Sequence, residues 1–130
     1  MKFISPSHEE FYKTTITMEK AEADVRLRTL FYLLGLTPET RRHITDLFDF
    51  NHQIVKEEGL EKRWQTDASI KACRLAFNLF NGCGGMDSRD ALLYTPFFLF
   101  DCELVSYFLE AVKIRFSNNL KIDNRQRHGV

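Results

Sequence analysis

Glu39, His43 and Asp46 carry the groups used in metal and acid–base chemistry, and their spacings of four and three residues share one helical face. Such a trio would supply half of a metal site, and His43 would also serve as a general base. The competing reading is a solvated face on which Arg42 pairs with Glu39 and Asp46. No second ligand cluster at helical spacing occurs elsewhere, so neither a metal nor another cofactor is expected.

Gly82-Cys83-Gly84-Gly85 has the glycine density of a phosphate-cradling loop. It lacks the Gly-Lys-Ser/Thr ending and follows a helical pattern, whereas a P-loop follows a strand. Cys83 has no base beside it in sequence and reads as an ordinary surface thiol. No catalytic constellation emerges.

The sharpest anomalies are Asp101 and Arg115. In a helix running from Thr95-Pro96 to about Phe116, the polar positions Glu103, Ser106, Glu110 and Lys113 make one thin stripe, and Asp101 and Arg115 point away from it. A charge on the buried side must find a partner or shift its pKa, as happens at functional sites. The expectation is a buried Asp101 bonded to backbone N–H groups or to an arginine such as Arg28 or Arg74, with Arg115 snorkelling outward near the helix end. Trp64, the only tryptophan, stands two residues before a helix cap and is expected to close the core beneath a long loop. The candidate binding or buried polar residues are therefore Arg42, His43, Trp64, Asp101 and Arg115.

The elements that position them are helices. All three prolines follow a hydroxyl residue: Ser5-Pro6, Thr37-Pro38 and Thr95-Pro96. The hydroxyl caps an orphan N–H, and proline at the first helical position gives up only an N–H without a partner. Ser7 and Glu10 add a candidate capping box to the first helix. A second helix spans about 23–34 and stops at Gly35; a third of about three turns follows Pro38, with Ile44, Leu47 and Phe48 inward. From Asp49 to Arg63 periodicity is lost, predicting an irregular crossing or a short hairpin around Asn51. Thr66 caps a fourth helix that ends at Asn81-Gly82, a left-handed stop. The fold class is all-α, a compact single-domain bundle of about five helices over 1–116 with the last helix at its centre. Residues 117–130 read as a polar, basic, disordered tail.

At 130 residues with 18 basic and 18 acidic side chains, the chain is neutral, which speaks against a dedicated nucleic-acid binder. No apolar stretch is long enough for a signal peptide or a membrane span, and three unpaired cysteines fit reduced thiols in the cytoplasm.

Arg28-Thr-Leu-Phe-Tyr-Leu-Leu-Gly35, Thr40-Arg-Arg-His43, Phe48-Asp-Phe50, Trp64-Gln-Thr66, Leu75-Ala-Phe-Asn-Leu-Phe-Asn-Gly82, Tyr94-Thr-Pro96 and Ala111-Val-Lys-Ile-Arg-Phe116 occur in that order. Together they resemble a small family of uncharacterised proteins from low-GC Gram-positive bacteria, often met near mobile genetic elements. The resemblance covers Phe3 to Phe116 and implies no catalytic residue. The expected function is a protein–protein interaction module that self-associates as a homodimer. The alternative is a small enzyme or ligand-binding domain with a polar pocket around His43, Trp64 and Asp101. A nucleic-acid role would require Arg41, Arg42, Arg63 and the tail to converge on one surface.

Overall fold

The computed structural model describes residues 1–121. Its helices are α1 (Pro6–Met18), α2 (Val25–Leu34), α3 (Pro38–Arg42), α4 (Ile44–Leu47), α5 (Asp67–Asn81), α6 (Ser88–Leu92), α7 (Pro96–Leu99) and α8 (Val105–Arg115). A 3-10 turn occupies Glu57–Glu61. The only strands among the described residues, β1 (Phe48–Asp49) and β2 (Ile54–Val55), form an antiparallel hairpin with Phe48 opposite Val55. The protein is thus mostly α, with its hairpin where helical periodicity fails.

Hydroxyl caps start the helices as their sequences predict in three places. Ser5 Oγ accepts from His8 N–H, Thr37 Oγ1 from Thr40 N–H, and Thr66 Oγ1 from Ser69 N–H in a reciprocal capping box. The expected box between Ser7 and Glu10 is not used, because the helix is capped two residues earlier, at Ser5, and Ser7 already lies inside it. Gly82 takes the left-handed conformation at φ 80°. Gly35 stops α2 for another reason. It stays right-handed, but a Cβ there would meet Phe11 at 2.8 Å and His8 at 2.9 Å, so glycine lets α1 approach.

The centre of the bundle is α2, not the last helix. Residues from Leu30 through Leu34 are wholly buried, because α1, α5 and α8 pack around α2. The predicted long C-terminal helix is also broken, between Leu99 and Val105. Leu99 and Leu104 are both buried. In one continuous helix, five residues apart means about 140° around the axis, so burying both there would need neighbours on two faces, as α2 has. The break rephases the chain and releases Asp101 to solvent instead of burying an unpaired carboxylate. The third helix divides at His43 into α3 and α4, and Phe48 becomes strand. Residues 117–121 are helical, so the expected disorder does not begin at 117. The rest of that expectation, 122–130, lies outside the described residues.

Candidate functional site

The helix break at His43 (φ −113°, ψ 31°) sets its imidazole against the loop preceding α5. There Trp64 stacks on it face to face, with ring centroids 4.6 Å apart and planes 9° from parallel. Trp64 Nε1–H donates to Asp46 Oδ2 at 3.0 Å, and His43 Nδ1 lies 3.7 Å from the same oxygen. Protonation of His43 would thus add an ion pair to Asp46 and a cation over the indole face. Because the rings lie against each other, the arrangement fastens the crossing segment onto α3 and α4. Trp64 is half-buried against the core, as a loop-closing residue should be.

Glu39 does not join them. Its Oε2 is shut off from solvent with no hydrogen-bond partner among the described residues, in the first turn of α3 where a negative charge is favoured. Among the described residues no three His, Cys, Asp or Glu side chains gather as a metal site would require. Arg42 is exposed and makes no ion pair with Glu39 or Asp46 among the described residues; its neighbour Arg41 instead donates from Nη1 to Gly35 O at 2.7 Å.

Asp101 corrects the expectation of burial. Its side chain is exposed, and only its backbone carbonyl is held, by Lys71 Nζ at 3.0 Å. Neither Arg28 nor Arg74 pairs with its carboxylate among the described residues. Arg115 is half-buried and bonds backbone, giving Nε–H to Leu79 O at 2.8 Å while its guanidinium lies 5.1 Å over the Phe116 ring. His43 and Trp64 therefore come together, and Asp101 and Arg115 take separate structural places.

Two features escape a reading of the sequence. Cys83 Sγ donates to Glu57 Oε1 at 3.2 Å and lies 3.7 Å from Tyr94 Oη. Reactive thiols are set beside positive groups; here the neighbours are a carboxylate and a phenol, and the contacts tether the glycine-rich loop to the 3-10 turn. Burial holds the Tyr94 phenol protonated well above its ordinary range, with the Cys83 hydrogen bond adding to the shift. The partner of Cys83 is 26 residues upstream, so no local spacing signals it.

The second feature is apolar. Met86 (85% exposed), Leu92 (55%), Phe97 (79%) and Phe98 (40%) all fall between residues 86 and 98. No residue of α6 is buried, and the Phe97 and Phe98 rings meet edge to face at 5.2 Å. Phe97 and Phe98 fall outside the thin polar stripe of the long helix predicted from sequence, which places that helix at the centre of the bundle; in the short helix α7 both are exposed instead.

The chain belongs to the family of unknown function DUF6075, whose profile matches residues 1–128. That agrees with the uncharacterised family inferred from the strings Arg28 to Phe116. Neither a curated protein nor a solved structure matches the chain. No helix among the described residues is long and apolar enough to cross a membrane.

Proposed function

We propose that this member of the family works by binding protein, and that its first partner is a second copy of itself. The supporting observation is the concentration of exposed Met86, Leu92, Phe97 and Phe98 in one short segment. Burying one such side chain from full exposure is worth about 1.5–3 kcal/mol, so association recovers most of that for Met86 and Phe97 and part of it for the half-exposed Leu92 and Phe98. The segment is also preorganised. Asp87 caps α6 by accepting from Arg89 and Asp90 N–H, Gly85 turns at φ 95° where a Cβ would meet Asp90 at 2.6 Å, and Cys83 ties the loop to Glu57. A surface already ordered before binding loses less entropy on association.

Sedimentation equilibrium at micromolar concentrations is expected to give a reversible homodimer. Replacing both Phe97→Ser and Phe98→Ser should weaken it by at least about tenfold, in line with the loss of aromatic anchors, while leaving the far-ultraviolet spectrum unchanged. A monomer throughout that range, or a double variant that dimerises as tightly, would overturn the reading.

A further inference from the structure

A groove of about 790 Å³ lies against α1 and α2, with Phe3, Tyr12, Ile16 and Arg28 among its walls. Arg28 Nε–H donates to Tyr12 Oη at 3.1 Å. The terminal amino groups of Arg28 make no hydrogen bond or ion pair among the described residues. Tyr12 is only 6% exposed, and its hydroxyl, having accepted from Arg28, donates its own proton to no acceptor among the described residues. The wall thus holds a guanidinium fork and a buried phenol with undelivered protons, bonded to each other, and Phe3, whose ring packs on that of Tyr12 at 5.6 Å, and Ile16 line the same groove.

Charge on the rim narrows what fits. Lys13 is already paired with Glu9 at 2.5 Å, so the two cancel, and Glu22 on the rim disfavours an anion the more strongly the higher its charge, leaving a monoanion the least opposed. A planar fork with an adjacent O–H matches the two oxygens of a single carboxylate. We propose that this groove binds a small organic monocarboxylate, its two oxygens held by Arg28 Nη and Tyr12 Oη–H and its apolar body laid on Phe3 and Ile16. The site does not involve residues 86–98 and stands independently of the self-association reading.

The test is a titration of the full chain, followed by amide chemical shifts, with octanoate as the probe and octanol and inorganic phosphate as controls. Octanoate should give saturable shifts at residues around Tyr12 and Arg28, and the controls none. Arg28→Met should weaken octanoate about tenfold or more, and Tyr12→Phe, which keeps the ring and removes the hydroxyl, by several-fold. Tyr12→Phe alone decides the matter if Arg28→Met fails to fold. Absence of saturable octanoate binding, octanol binding as tightly as octanoate, or undiminished binding by Tyr12→Phe would each overturn the proposal.

Discussion

His8 is fully buried, and both of its ring nitrogens are engaged. Nε2–H donates to Tyr32 O at 2.7 Å, and Nδ1 accepts Ile4 N–H at 3.2 Å, a pattern that only the neutral ring satisfies. Phe3 and Tyr32 rings pack on it at 5.1 and 4.8 Å. Burial lowers its pKa below 6.5; the Tyr32 carbonyl opposes that shift and Arg41 adds to it. The folded chain therefore binds fewer protons than the unfolded chain just below that pH. The contribution of His8 is complete above pH 6.5 and declines as pH falls toward the lowered value. His8→Gln keeps a donor for Tyr32 but cannot take up a proton. At neutral pH it should be less stable by roughly 1–3 kcal/mol, and urea midpoints across mildly acidic pH should show that gap narrowing as pH decreases. A gap that stays constant would mean His8 is not the titrating group.

At the level of elements, the C-terminus of α5 shows how a helix end is satisfied by distant parts of the chain. Gly82 N–H bonds Asn78 O at 2.8 Å, Arg115 Nε–H bonds Leu79 O at 2.8 Å, and Arg26 Nε–H bonds Phe80 O at 2.7 Å. Arg26 also places its guanidinium 4.5 Å over the Phe80 ring. Two cations from α2 and α8 thus meet orphan carbonyls where the helix dipole favours positive charge. Arg115→Ala should cost about 1–3 kcal/mol by chemical denaturation, since the half-buried Leu79 carbonyl loses a charged donor. Arg115→Lys should recover only part of that, because an ammonium cannot reproduce a planar donor anchored over the Phe116 ring. Full recovery by lysine would reduce the clamp to simple charge.

For the whole molecule, the core is built on α2, against which α1, α5 and α8 pack, while the segment from Met86 to Phe98 adds apolar surface that the core does not use. If that surface closes in a dimer, dissociation is linked to unfolding by mass action. The melting temperature of the natural chain should then rise with protein concentration, and that of the Phe97→Ser, Phe98→Ser variant should not. Scanning calorimetry over a hundredfold concentration range makes the comparison.

Much of this architecture is legible in the chain alone, for a local reason. A cap such as Ser5, Thr37 or Thr66 bonds an amide three residues on, and Gly82 ends α5 by its own backbone angle, so the determinants lie within one turn of the structure they specify. The loss of periodicity after Asp49 leaves an irregular crossing or a hairpin open, and the structure forms the hairpin; the spacing from Glu39 to Asp46 puts three residues on one face, of which the structure brings His43 and Asp46 to 3.7 Å. What spacing cannot show is which face of a helix meets the core, because that depends on elements far along the chain. The break after Leu99 lies between the buried Leu99 and Leu104; Asp101 falls within it and faces water, and Phe97, in the short helix before it, lies exposed. Cys83 with Glu57, Arg28 with Tyr12 and Arg115 with Leu79 are likewise pairs between separate elements. A side chain's hydrogen bond reaches about 3 Å in space but any distance in sequence, and only the packed chain determines which distant groups fall within that reach.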